Sequence, residues 1–400
     1  MLLEISSDFD SHDKKGNTPL VYAAAYGCLE SVMILLRAGA NPLKDQHLSL
    51  LHHALMWEQW NVIIEVFEYF RVYGDYSHEF LQGELNHLIT SPWGSRKSQP
   101  ERLKTLLKLG ADKHVKINEA GPREKWTLLH ASYNKASATA LFEAGFEHVD
   151  HLDSKGFTPL MRFIRTREYG VAEEILTQGC NVNLRNAQGK SALHTAYNNL
   201  GYCSPYEAWD PFQTSIDFAF IAKLLQNNAE IWNPDTYRCA CSPGGCPPFL
   251  QLPRAQVIDY SANFNESAYI WVLEWILMVE ELRGEADAHQ ILQYFNRVRE
   301  FDLAGMTHVC CRNIHTQRLK SFSNKEYLDG EEIDRILEEE KGHASDLDEK
   351  MKQNIANQDQ DSVKENWLGI LVDFYIPDKI TVQKHFYLPG ETTMQVSPLM

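Results

Sequence analysis

Between Asp13 and Asn41 the apolar positions fall into two short helical stripes separated by a small polar break. Leu20, Ala23 and Ala24 make a slim first stripe, and Val32, Leu35 and Leu36 a bulkier second one, at the three-and-four spacing of a helix face. Thr18 can cap the first helix through its hydroxyl, and Pro19 takes the first helical position, where a missing N–H costs nothing. Gly27 breaks the first helix, and Gly39 ends the second where left-handed backbone is favoured. A helix–turn–helix this small cannot bury its own faces. The pattern therefore predicts neighbours built alike.

Those neighbours recur along the chain. Ser49-Leu50-Leu51-His52-His53-Ala54 repeats the first anchor 31 residues later, counted from Leu20 to Leu51, and Val62, Ile63, Val66 and Phe67 supply its second stripe. The third unit is degraded: Leu85, Leu88 and Ile89 stand for its first helix, and Leu103, Leu106 and Leu107, before Gly110, for its second. Between them SPWGSRKSQP, 91–100, is rich in turn formers and is expected to loop out. Thr127-Leu128-Leu129-His130 opens a fourth unit that ends at Ala144-Gly145, Asp153 to Leu160 a fifth, and Gly189 to Ala196 a sixth. Leu129, Leu160 and Leu193 are spaced by 31 and 33 residues. The next step, Leu193 to Phe249, is 56, and the excess divides into 16 extra residues between two helices and seven within a turn, so Gly245 to Phe249 opens a seventh unit in register.

The order Asp13-x-x-Gly16-x-Thr18-Pro19-Leu20-x-x-Ala23-Ala24-x-x-Gly27, then Leu35-Leu36-x-x-Gly39-Ala40, resembles the ankyrin repeat. The resemblance implies an all-α solenoid of about six to seven helix–turn–helix units, some of them degenerate, over residues 1–252. It also implies that His52, His130 and His194 bond neighbouring turn backbones instead of doing chemistry. A stack needs its last apolar face covered, and helical periodicity at Trp271, Trp275 and Met278, then Ile291, Phe295 and Val298, makes 253–327 a helical capping region. Residues 328–400 read as an acidic helical tail. Asp329 to Glu349 carries ten carboxylates against Arg335 and Lys341, and Trp367, Ile370, Leu371 and Phe374 mark one more amphipathic helix. The acidic run is either a recruiting element or a solvated face.

Charge and cysteine content narrow the function. The formal charge of −16 in 400 residues argues against a surface for phosphate backbones. The first residues, MLLEISSDFD, lack a cationic start and a long apolar run, and Ala268 to Leu282 is interrupted by Glu274, Glu280 and Glu281. An intracellular protein, cytoplasmic or nuclear and without a membrane anchor, is expected. Eight cysteines in this length do not form a secreted disulfide framework. No phosphate loop, nucleophile elbow, zinc-hydrolase motif or dinucleotide fingerprint is present, which favours a non-enzyme.

Two constellations carry the candidate chemistry. Cys239, Cys241 and Cys246 lie in the enlarged, Gly/Pro-rich turn, and three thiols there could hold a structural zinc with a fourth ligand from His308, Cys310 or Cys311. The alternative is a set of reduced thiols that pack the turn, with no cofactor. The second constellation is the concave face that the resemblance implies for partners. By position it offers Lys14, Lys15, Asn17 and Tyr26, then Met56 and Trp57, Asn134 and Lys135, Ser154, Lys155, Phe157 and Arg165, and Gln188, Lys190 and Asn198. Tyr26, Trp57, Phe157 and Arg165 are the expected anchors, since aromatic and arginine side chains dominate interface energetics. The cations in this row suit an acidic or polar protein segment; the alternative is an ordinary solvated surface. Tyr202, Tyr206 and Trp209, in the longer insertion, form either a recognition loop or a plug on the stack.

The enlarged Cys-rich turn, helical extension and acidic tail are similar to ankyrin proteins of filamentous fungi, which include adaptors and transcriptional co-regulators. Some of these place a basic DNA-binding helix ahead of the repeats, whereas the first repeat here begins at Asp13. The expectation is a scaffold acting through a protein partner such as a transcription factor, with no direct nucleic-acid contact. The competing expectation is a zinc-thiolate module or an enzyme-associated accessory protein.

Overall fold

The computed structural model describes residues 8–41, 50, 53–54, 57–73, 99–114, 116, 125–200, 211–238, 242–250, 267–304, 306 and 330–356. They belong to two compact units, Met1–Asn186 and Ala187–Met400. Helices dominate, and the one β-bridge among the described residues is an isolated antiparallel pair, Lys116 with Thr127.

The first unit contains α1 (Pro19–Ala25), α2 (Leu29–Arg37), α3 (Trp60–Tyr73), α4 (Gln99–Lys108), α5 (Lys135–Glu143), α6 (Pro159–Arg165) and α7 (Tyr169–Thr177). Helices of seven to nine residues are too short to persist alone, so tertiary packing must supply their stability. That packing is of two kinds. Within a repeat α1 pairs with α2 and α6 with α7; between repeats α2 lies on α3, α4 on α5 and α5 on α7. The expected stripes form the core: Leu20, Ala24, Val32 and Leu36 are buried, as are Val62, Ile63, Val66, Leu103 and Leu106. The caps hold too. Val21 N donates to Thr18 Oγ1 at 3.3 Å and Met161 N to Thr158 Oγ1 at 3.2 Å, each with proline in the next position.

Two local expectations are corrected. The fourth repeat has no first helix: Leu128 to Ala131 is a turn. Only eight residues separate Thr127 from the start of α5, against 11 between Thr158 and the start of α7, a deficit close to one helical turn. Asn134 then caps α5 at once, its Oδ1 accepting from Ser137 N at 2.8 Å. The insertion at 91–100 is also shorter than expected, because Gln99 and Pro100 already belong to α4.

The second unit contains α8 (Ala192–Leu200), α9 (Pro211–Gln226), a short 3₁₀ turn (Pro248–Leu250), α10 (Ser267–Arg283), α11 (Glu285–Leu303) and α12 (Gly330–Ala356). Part of the longer insertion is helix: α9 runs for 16 residues where α2 and α7 have nine. Helices α2, α4, α5 and α7 are each followed two residues on by glycine at positive φ, and after α9 Asn228 takes this place at φ 63°. Asparagine tolerates the left-handed region better than other non-glycine residues. α8 packs on α9 and on the 3₁₀ turn, and α10 packs on α9 as α3 packs on α2. The 3₁₀ turn and α10 thus stand where the two helices of a seventh repeat would.

An aromatic cluster seals this region. Phe249, Trp275 and Tyr197 are fully buried, with Phe249 stacked on Trp275 at 5.5 Å and Tyr197 edge-on to it at 5.6 Å. Trp232 and Tyr294 meet Phe249 at 5.1 and 5.6 Å. Such pairs add about 0.5–1.5 kcal/mol each beyond burial. The acidic helix α12 lies on α11. Arg297 grips Asp348 in a two-pronged pair of 2.6 and 2.9 Å, and Arg238 meets Asp334 at 2.8 Å.

Candidate protein-interaction face

The polar groups of the repeat divide into those that build turns and those left facing solvent. Asp13 builds the first turn: its Oδ1 accepts from Lys15 N at 2.8 Å and Asn17 N at 2.9 Å, and its own N–H donates to the Asn17 carbonyl at 3.0 Å. Asp153 makes the same set with Lys155 and Phe157. Asp235 makes it with Tyr237 at 3.0 Å and Cys246 at 2.9 Å, and its N–H donates to the Cys246 carbonyl. The frame that normally closes on the fourth residue here closes on the eleventh, so the seven extra residues sit inside an otherwise unchanged turn. Gly245 allows it. Its φ is +103°, and a Cβ there would run into the Asp235 carbonyl.

The histidines belong to the same frame. His130 Nδ1 accepts from Thr127 N at 3.2 Å, so the ring carries its proton on Nε2, which donates to the Phe157 carbonyl of the next repeat at 3.3 Å. His194 Nδ1 accepts from Ser191 N at 3.0 Å, and its Nε2 reaches the Cys246 carbonyl at 3.3 Å. Burial pushes His130 down to about 4, against the opposing pull of the Phe157 carbonyl and Asp153. These rings are neutral struts, and each ties one repeat to the next turn. His52 lies outside the described residues.

Cys246 thus occupies the place of Asn17 and Phe157. Its backbone N–H and carbonyl are both engaged by the turn, and its thiol is buried. Cys239, Cys241, His308, Cys310 and Cys311 lie outside the described residues, as do Tyr202, Tyr206 and Trp209. Among the described residues no group of three or more histidine, cysteine or acidic side chains could hold a metal ion.

The side chains not used by the frame mark the face. Lys14 and Lys15 are exposed on the first turn. Asn17 is half-buried and donates to Tyr22 Oη at 3.4 Å, while Tyr22 donates to Asp13 Oδ2 at 2.7 Å, which holds that carboxyl below its usual value. Phe157 is half-buried beneath the exposed Arg165, whose guanidinium stands 4.8 Å over its ring. The stack fixes the Arg165 guanidinium on the surface beside the fifth turn. Asn134 and Lys135 are drawn into α5: the first is its cap, and the second pairs with Glu174 at 3.5 Å.

At the other end of α1, Tyr26 and Trp57 are the most solvent-exposed large apolar side chains described, at 77% and 65%. They hold the same place in consecutive repeats, six residues after Leu20 and Leu51. In the fifth and sixth repeats that place belongs to Thr166 and to the buried Asn199. Position by position the residue after it is Gly27, Glu58 and Arg167, all at positive φ, so two non-glycine residues accept the strain of this turn. Glu58 and Glu30, both exposed beside the aromatic pair, do not figure among the expected site residues. The usable signal is their fixed distance from the leucine anchors.

Comparison with known proteins agrees with this repeat geometry. Residues 15–45 match the family model for the ankyrin repeat. The chain contains an ankyrin repeat. Solved structures similar to it include the ankyrin repeat domain of Bcl-3, described as a unique member of the IkappaB protein family. That likeness has 18% identity and a TM-score of 0.41, and covers 59% of this chain and 94% of that one. Another is the human ASB11 ankyrin repeat domain, at 17% identity and a TM-score of 0.36, covering 59% of this chain and 98% of that one. No curated protein matches the sequence. Ankyrin repeats are protein–protein interaction modules. No described helix is long and apolar enough to cross a membrane.

Proposed function

We propose that this ankyrin-repeat chain is a non-catalytic interaction scaffold, working as an adaptor or as a transcriptional co-regulator through a protein partner such as a transcription factor. One observation carries the reading. The turn aspartates and His130 and His194 are spent on backbone bonds, whereas the side chains of Tyr26, Trp57 and Arg165 stand outside that frame on the surface, Arg165 over the half-buried ring of Phe157. Large aromatic groups held in water on short, rigid elements suit recognition and offer no general base, nucleophile or metal for chemistry.

The test starts from proximity labelling in the native cell, followed by titration of the purified partner against the full chain. Two double variants are compared, Tyr26→Ala with Trp57→Ala and Phe157→Ala with Arg165→Ala. Loss of affinity of tenfold or more in at least one, with helix content unchanged, is the expected result, about 1.4 kcal/mol. Undiminished binding in both would end this assignment of the face.

A further inference from the structure

Resting on the scaffold reading, we propose that the Tyr26–Trp57 end of the first two repeats docks a basic peptide segment, one that lays arginine or lysine side chains on these rings. The two turns that carry them are in contact. A Cβ on Gly27 would collide with the Gln59 side-chain amide, and Gln59 Nε2 donates to the Trp57 carbonyl at 2.9 Å. Packed helices lie about 8–10 Å apart, a spacing that an extended chain of a few residues can bridge.

Charge selects the occupant. The segments Tyr26–Glu30 and Trp57–Asn61 contain two carboxylates and no lysine or arginine. Glu58 follows Trp57 directly, Glu30 lies in the first turn of α2, and both are exposed. Lys14 and Lys15 sit at the opposite end of α1, a helix of seven residues and therefore roughly 10 Å long. At that end Asp8, Asp10 and Asp13 accompany the two lysines, whereas at the aromatic end the two glutamates have no lysine or arginine in the same segments. A cation over the face of tyrosine or tryptophan is attracted by the ring quadrupole, and a carboxylate beside the ring adds to that attraction. An acidic peptide meets repulsion at the same spot, and so does a phosphate backbone. The overall charge of −16 steers a basic segment inward.

The experiment is a fluorescence-anisotropy titration of the full chain with a labelled peptide of alternating glycine and arginine, and with its glutamate counterpart. The arginine peptide is expected to bind and to weaken as salt rises. Tyr26→Ala with Trp57→Ala should raise its Kd about five- to thirtyfold, from the usual range for exposed cation–π contacts. Glu30→Gln with Glu58→Gln should raise it about threefold, and Trp57→Phe should leave it within about twofold. Because both rings are largely in water, circular dichroism should not change. An unchanged Kd in the double alanine variant, or equal binding of the glutamate peptide, overturns the proposal. If the arginine peptide fails while the native partner still needs Tyr26 and Trp57, the basic-segment assignment falls and the scaffold stands. If partner binding survives both double variants described above, the scaffold falls with it.

Discussion

His130 should make the stability of the first unit fall on acidification, by an amount the structure sets. The ring is fully buried, its Nδ1 takes a proton from Thr127 N–H and its Nε2–H is given to the Phe157 carbonyl, so a second proton on Nδ1 breaks the bond to Thr127 and buries a charge. Its folded value of about 4 lies below the ordinary 6.5. A depressed histidine stabilises the fold fully above the unfolded value; that stability is lost as pH falls from 6.5 to about 4 and is constant below. The loss is about 2 kcal/mol at pH 5 and about 3 kcal/mol at the acid limit. With a urea slope of about 2–3 kcal/mol/M, 2 kcal/mol moves the midpoint by roughly 0.7–1 M. Urea titrations at pH 8 and pH 5 on the chain and on His130→Ala, read by hydrogen exchange of peptides over α5 to α7, isolate this contribution. His151, half-buried 6.2 Å away and also lowered by burial, is present in both proteins and cancels to first order. The variant should be less stable at pH 8, and the gap should narrow by about 2 kcal/mol at pH 5. A gap equal at both pH values would refute the strut assignment.

Gly16→Ala and Gly245→Ala should separate two costs. The first meets only its positive φ, with open space around the added methyl, and should cost about 1 kcal/mol; the second also strikes the Asp235 carbonyl and should cost about 3 kcal/mol or more, measured by thermal unfolding. Arg297→Ala removes the two-pronged hold on Asp348; at the partial exposure of this pair the loss is about 1 kcal/mol, read as roughly fivefold faster exchange in α12 and little change in α1 to α7. Burial and the neighbouring Asp150 push Cys180 up to about 12. At pH 8 about one thiol in ten thousand is then ionised, so mass-spectrometric mapping should find the exposed Cys28 alkylated long before Cys180.

The repeat register was legible because it is written in small polar motifs at fixed offsets. Thr18-Pro19 and Thr158-Pro159 are caps as expected, and the Asp235-to-Gly245 count correctly placed seven extra residues inside one turn. The missing first helix of the fourth repeat was harder to see, since Leu128 and Leu129 stay buried whether they lie in a helix or a turn. The shortfall showed only in the distance from Thr127 to Asn134. The preferred anchors split similarly: Tyr26 and Trp57 could be placed by counting from a leucine, whereas the stacking of Arg165 on Phe157 depends on rotamers that spacing does not encode. Glu30 and Glu58 were passed over because the face was expected from its aromatic and cationic positions alone.

The seventh turn explains why an array can change character without losing its register. Asp235 binds two backbone N–H groups across the insertion, and His194 donates to the same Cys246 carbonyl that Asp235 N–H uses, so the frame is held from inside and from the preceding repeat. With the frame secured, the inserted segment is available for other contacts. Ser242 bonds Tyr294 of α11 at 2.6 Å, and Arg238 pairs with Asp334 of α12. The residues that follow Gly245 make a 3₁₀ turn in place of a first helix, and Phe249 on that turn supplies the surface on which Trp275 and Tyr294 assemble. Removing Asp235 should therefore do more damage than removing either tail contact: its carboxylate holds the turn closed, while Ser242 and Arg238 depend on a turn that is already closed. If Asp235→Ala loosened α11 and α12 no more than Arg238→Ala in hydrogen exchange, that order of dependence would be wrong.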